Sequence, residues 1–166
     1  MTASEYQKQA RGSYAFDHWL WQRRVASPLG DFVVELQMLG AKDTNPPDEE
    51  MLKRAAELVR YAEAHGDYVL DLVFGYYLFA AERGNWLERC GVPTGLTKET
   101  VSAYVRNDRS LVVSRHLDWD EPYASFIYIV PLWDEEHAMY LEFHDDDIVA
   151  VNDSPFRLEA EVLRHG

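Results

Sequence analysis

The residues of this chain best suited to chemistry are carboxylates, and they crowd into one stretch. Between Arg115 and Arg157 there is no Lys or Arg, yet Asp118, Asp120, Glu121, Asp134, Glu135, Glu136, Glu142, Asp145, Asp146, Asp147 and Asp153 all fall there, with His116, His137 and His144 among them. A block of one sign can bind a cation, face a basic partner or simply keep a surface solvated.

Calcium is the first cation to test. A calcium loop needs Gly at its sixth position and Glu at its twelfth. Counting from Asp145 gives Ala150 and Phe156, and counting from Asp118 gives Tyr123 and Ile129, so neither stretch qualifies. A transition-metal site could draw on Glu136, His137, Glu142 and His144, with His116 as a third ligand from a neighbouring strand. Glu142 and His144 share one face of a strand, about 6.6 Å apart at the rise of extended chain. His137 and His144, seven residues apart on one continuous strand, would face opposite sides.

Catalytic signatures are missing. The chain has no phosphate-binding Gly-rich loop, no Gly-x-Ser-x-Gly elbow, no paired Cys and no His-Glu-x-x-His. No cofactor is expected. Two carboxylates suited to acid–base work can always be found among 29 and carry no weight without geometry.

Binding to a basic protein remains. Its candidate residues are Asp118, Asp120, Glu121, Trp133, Asp134, Glu135, Glu136, Asp145, Asp146 and Asp147. Trp133 beside three acids has the composition of an interface hot spot with a polar rim, although a Trp closing an apolar strand also suits a structural corner. The net charge of −13 repels phosphate backbones and anionic membranes, which argues against a direct nucleic-acid ligand.

Elements that position these residues follow from pattern. At 166 residues, 47% apolar, the chain suits one domain with a real core. Residues 1–16 read as a polar, flexible lead-in without a signal-peptide stretch, and no apolar run is long enough to span a bilayer. The lone Cys90 suits a reducing cytoplasm and reads as a small buried residue.

Alternation over 18–25 and 31–38, around Ser27-Pro28-Leu29-Gly30, predicts an N-terminal β-hairpin. Pro46-Pro47, the N-cap Asp48 and the acids Glu49 and Glu50 predict a helix that closes at His65-Gly66. A second helix follows over 67–83, with Tyr68, Tyr76 and Tyr77 as core, and a short third opens at Thr97. Strands over 110–117, 125–132, 138–144 and 148–151 then pair as a C-terminal antiparallel meander, the one at 126–130 covered on both faces. The expected fold is α+β, with two to three central helices packed on one mostly antiparallel sheet.

One segment carries a resemblance. Pro131-Leu132-Trp133-Asp134-Glu135-Glu136-His137-Ala138, followed by Tyr140-Leu141-Glu142-Phe143 and an acidic turn before Ile148-Val149, resembles the Trp-Asp-Glu-Glu-His-Gly signature of a bacterial domain-of-unknown-function family. Ala138 stands where that signature has Gly. The resemblance implies N-terminal strands, a helical middle and a C-terminal meander, and it associates the chain with immunity-like proteins that neutralise toxins. It brings no catalytic residue.

Three readings result. The leading one is a non-enzymatic, cytoplasmic binding protein that offers its acidic meander to a basic partner such as a toxin domain. The alternative is a metal-binding protein or metal-dependent enzyme using His116, Glu142 and His144. The third is a homo-oligomer with Trp19 and Trp21 on a sticky edge strand.

Overall fold

Phe32, Val34, Leu36 and Met38 are buried while Val33, Glu35 and Gln37 between them are only half-buried, the signature of a strand with one face on a core. The computed structural model describes residues 1–9, 17–40, 43, 45–153 and 156–164. Its frame is one eight-stranded sheet in chain order: β1 (Tyr6–Gln9), β2 (Asp17–Val25), β3 (Phe32–Met38), β4 (Ser110–Arg115), β5 (Tyr123–Ile129), β6 (Met139–His144), β7 (Asp147–Asp153) and β8 (Phe156–Glu159). Every neighbouring pair is antiparallel except β3 and β4, which run parallel with Val33 opposite Ser110 and Met38 opposite Arg115.

That parallel pair requires a crossover, and the helices supply it. Between β3 and β4 lie α1 (Glu49–Ala64), α2 (Gly66–Ala81), α3 (Trp86–Arg89) and α4 (Lys98–Val101); α5 (Ala160–Arg164) follows β8. Asp48 caps α1 as its sequence suggests, its side chain accepting from Met51 N at 2.9 Å. His65 both ends α1 and precedes α2, so Gly66 is a helical residue rather than a left-handed stop. The helices cover the sheet face that carries Leu36, Leu111, Val113, Ile127, Ile129, Met139, Leu141 and Val151. No helix among the described residues is long and apolar enough to cross a membrane.

The α+β class and the two long helices match expectation, but several details differ. The N-terminal hairpin is a three-stranded meander, because Tyr6–Gln9 pairs with β2 and Tyr6 is 4% exposed. Residues 10–16 of the expected lead-in lie outside the described residues. The C-terminal meander has five strands, and α3 and α5 add to the expected helices. Trp19 and Trp21 sit on the second strand and pack against the core, so neither lies on a free edge.

The doubly covered strand is β4, not β5. Val112 and Ser114 are short side chains at 1% and 5% exposure, and the longer Glu35 and Phe126 flank Val112 across the strands. Phe126 and Tyr128 of β5 instead stay half-buried, each ring about 5 Å from Tyr140, at 5.4 and 5.3 Å.

Candidate functional site

Hairpin turns alternate between the two ends of a sheet, so topology divides the acidic block. The β4–β5 loop and the β6–β7 turn leave from one end, and the β5–β6 connection holding Asp134, Glu135 and Glu136 leaves from the other. Extending the pairing of Ser125 with Phe143 by two residues puts Tyr123 opposite Asp145, so the first two turns belong to adjoining hairpins.

Local chemistry places acids in the β6–β7 turn. His144 pairs with Asp147 around two residues of positive φ, Asp145 at 49° and Asp146 at 63°. A two-residue hairpin with both φ values positive is the I′ type, which Asp tolerates better than most side chains. Asp147 is held from behind: Tyr61 donates its hydroxyl to Asp147 Oδ1 at 2.9 Å, and Ile148 N donates to the same oxygen at 2.8 Å. Burial first, and then this bond to a carboxylate, raise the Tyr61 hydroxyl well above its ordinary pKa, so it stays a donor.

The β4–β5 loop is closed by His116 N donating to Pro122 O at 2.7 Å and Trp119 N to His116 O at 3.1 Å. Trp119 stacks on His116 with ring centres 4.5 Å apart and planes 12° apart, yet it remains 57% exposed, with Leu117 at 54%. Asp118, Asp120 and Glu121 share this loop with the two apolar side chains, and they are exposed, as are Asp145 and Asp146. Among the described residues none of these five carboxylates has an ion-pair partner. Beside the β6–β7 turn a cavity of about 780 Å³ opens between the end of α1, α2 and α5.

At the opposite end the corner is built differently. Trp133 is fully buried and Asp134 is 7% exposed, so neither side chain presents itself to a partner. Asp134 Oδ2 accepts from the Tyr76 hydroxyl at 2.8 Å, and Asp134 Oδ1 meets His137 Nδ1 at 2.9 Å. The Trp133 carbonyl accepts from Trp86 Nε1 at 2.6 Å and from the Cys90 thiol at 3.4 Å. Cys90 is exposed rather than buried, because α3 carries it to the rim of a groove of about 660 Å³. Arg83 and Arg89 line that groove with Glu135 and Glu136, so acid there faces base. His137 belongs to the turn and not to β6, so the strand parity drawn between it and His144 does not apply.

The corner closes on Ala138, whose N–H donates to Asp134 O at 3.1 Å and whose φ is +64°. This left-handed backbone is the conformation that Gly adopts without strain and that other residues rarely take. Ala138→Gly should stay within about 1 kcal/mol of the parent, relief of the left-handed conformation offsetting one lost buried methyl. Ala138→Val, branched at Cβ and 3% exposed, should lose on the order of 2–3 kcal/mol. Urea denaturation of both variants checks the pair, and equal losses would refute the strained corner.

The candidate metal ligands are not assembled. His116 lies under Trp119, while Glu142 accepts from Arg157 at 2.9 Å and from Asn152 at 3.1 Å. His144 is exposed at the end of β6, and no group of three His, Cys, Asp or Glu among the described residues is placed to hold a metal ion.

Sequence reasoning missed Leu117, Trp119 and the cavity residue Tyr61, and it read Tyr68 as core, whereas Tyr68 is half-buried against the core and also lines the cavity. A signal for Trp119 was present: a Trp between Asp118 and Asp120, ahead of Glu121-Pro122, has no alternating pattern to draw it into a core. Comparison with protein-family models, with curated proteins and with solved structures finds no match to this chain.

Proposed function

We propose that the protein is a non-catalytic binding protein that docks a basic protein surface on the sheet end formed by the β4–β5 loop and the β6–β7 turn. The observation that carries this reading is that two adjoining turns hold exposed Leu117 and Trp119 together with Asp118, Asp120, Glu121, Asp145 and Asp146, all exposed and without an ion pair among the described residues. Exposed apolar anchors beside uncompensated charge suit an interface in which burial holds the complex and the field steers the encounter. The acids at 134–136 are not part of it, since Asp134 is committed inward and Arg83 and Arg89 share the groove of Glu135 and Glu136. The partner class that fits is a protein whose own site is basic. A toxin domain that binds phosphates is such a partner, and capping its site would neutralise it as an immunity protein does.

The test begins with cross-linking in the native host to recover the partner, followed by association kinetics. Asp118→Asn, Asp120→Asn, Glu121→Gln, Asp145→Asn and Asp146→Asn together remove the charge, and Asn still accepts the positive φ of the turn. This variant should melt within a few degrees of the parent while its association slows by about 10-fold or more and loses most of its salt dependence. Trp119→Ala should act on dissociation instead. An association rate that ignores the five substitutions would return these acids to plain solvation.

A further inference from the structure

The groove at the other end of the sheet from the proposed docking surface holds charges of both signs that do not meet. Arg83, just past α2, and Arg89 of α3 line it together with Glu135 and Glu136 of the β5–β6 connection. Among the described residues none of these four has an ion pair. The half-buried Trp86 and Leu132 and the ring of Phe156, 37% exposed, line the same groove.

The walls are set before any ligand arrives. The Arg83 guanidinium carbon lies 3.3 Å from the centre of the Phe79 ring and 5.9 Å from that of Phe156, and its Nη1 donates to the Phe79 carbonyl at 3.2 Å. Ring faces and a carbonyl fix a guanidinium without neutralising it. Across the groove, Asp134 N donates to Pro131 O at 3.0 Å and Ala138 N to Asp134 O at 3.1 Å, which closes the corner that carries Glu135 and Glu136. The Trp86 indole N–H already donates to the Trp133 carbonyl, so what Trp86 has left to offer is its ring.

Two guanidiniums, two carboxylates and aromatic surface have one class of ligand in common. A simple anion would meet the glutamates, a simple cation would meet the arginines, and a neutral apolar molecule would answer neither. We propose that this groove binds a short zwitterionic peptide. Its C-terminal carboxylate meets Arg83 and Arg89, its N-terminal ammonium meets Glu135 and Glu136, and an apolar side chain packs on Trp86 and Phe156. The planar fork of an arginine grips a carboxylate through two parallel bonds. The volume, about 660 Å³, falls in the range of pockets that take drug-sized ligands, which suits a di- or tripeptide better than one amino acid. The groove shares no residue with the acidic docking surface, so the two readings stand or fall separately.

Amide chemical shifts of the whole protein, titrated with phenylalanyl-alanine, test the assignment. The expected result is saturable binding, with shifts centred on Arg89, Trp133 and Glu136. Bound peptide should also protect Cys90, the chain's single cysteine, from iodoacetamide, because Cys90 lines the groove. Blocking either end, as N-acetyl-phenylalanyl-alanine or as phenylalanyl-alanine amide, should weaken binding about tenfold, the scale of one bond between charged groups. Glycyl-glycine keeps both charges but lacks the ring, and it should also bind about tenfold more weakly. The variants assign the ends. Arg83→Gln with Arg89→Gln should weaken the unblocked peptide about tenfold and leave the peptide amide unweakened. Glu135→Gln with Glu136→Gln should do the same to the unblocked peptide and leave the N-acetyl peptide unweakened. All four positions are exposed, so both variants should melt close to the parent. Failure of phenylalanyl-alanine to saturate, equal binding of the blocked peptides, shifts located elsewhere, or variants that weaken blocked and unblocked peptides alike would overturn the proposal.

Discussion

Arg115→Ala is expected to destabilise the protein by about 3–5 kcal/mol, a large part of the roughly 5–15 kcal/mol that holds a domain of this size. Arg115 is 2% exposed at the end of β4. Its Nε and Nη2 donate to the two oxygens of Asp43 at 2.8 and 2.9 Å, and its Nη1 donates to Asp48 at 2.7 Å. Carbonyls of Asn45 and Pro46 take further bonds at 3.2 and 3.3 Å, and the Tyr123 hydroxyl completes Asp48 at 2.8 Å. Truncation therefore strands a buried carboxylate and loosens the loop that presents the cap of α1. Arg115→Lys should recover only part of the loss, because one ammonium cannot replace a fork that spans two carboxylates.

The pH dependence carries a sign that identifies the cause. Burial alone would raise Asp43 and Asp48, but hydrogen bonds and charge from Arg115, with backbone donors at Asn45 and Met51, bring both below the ordinary carboxylate value. A lowered folded value means that the unfolded chain binds more protons, so this contribution is complete above about pH 4 and is lost as pH falls through the folded values. Without Arg115, burial dominates and Asp43 should titrate above its ordinary value. The stability gap between parent and Arg115→Ala should then narrow in acid. Urea denaturation from pH 7 to pH 3 measures it, and a gap that is constant or widens would show that Arg115 acts by packing and not by charge.

Trp133→Ala should cost a comparable amount, about 3–5 kcal/mol. The ring is fully buried between helices and sheet, with Tyr77 at 5.6 Å and 73° and Tyr76 at 6.3 Å and 43°. Its indole Nε1 is buried without a hydrogen-bond partner among the described residues. Trp133→Phe removes that unmet donor along with some volume, so its loss should be much smaller, about 1–2 kcal/mol. Because the bonds from Trp86 and Cys90 end on the backbone carbonyl, both variants retain them, and the comparison isolates the side chain. Similar losses for Ala and Phe in denaturant melts would mean that the indole N–H is satisfied after all.

What sequence made legible was local. Pro46-Pro47 followed by Asp48, Glu49 and Glu50 marks the start of α1 from neighbouring residues alone, and alternation from Phe32 to Met38 marks β3. The acidic turns were legible for the same reason, since Asp at a turn serves the turn itself. Distant partnerships were not. Arg115 meets Asp43 across 72 positions and Asp48 across 67, with nothing at either site to announce the other. β1 escaped notice because Tyr6-Gln7-Lys8-Gln9 is short and polar, which an edge strand tolerates and alternation cannot reveal. The cavity escaped because its walls come from α1, α2, α5 and the β6–β7 turn, and the tyrosines of α2 look alike in sequence whether they face the core or the cavity.

The parallel junction of β3 with β4 has a consequence for how the chain acquires its shape. The other strand pairs are joined by short connections and can zip up from nearby residues. The junction instead must close a loop running from Met38 to Ser110 that holds four of the helices. Each doubling of loop length adds roughly 0.6 kcal/mol of closure entropy, so this joint carries the largest closure cost among the neighbouring strand pairs unless the helices between shorten the loop. Until it closes, β3 and β4 each present an unpaired apolar edge, and the two meanders are separate sheets awaiting one another. Docking them is the step at which folding competes with association between chains.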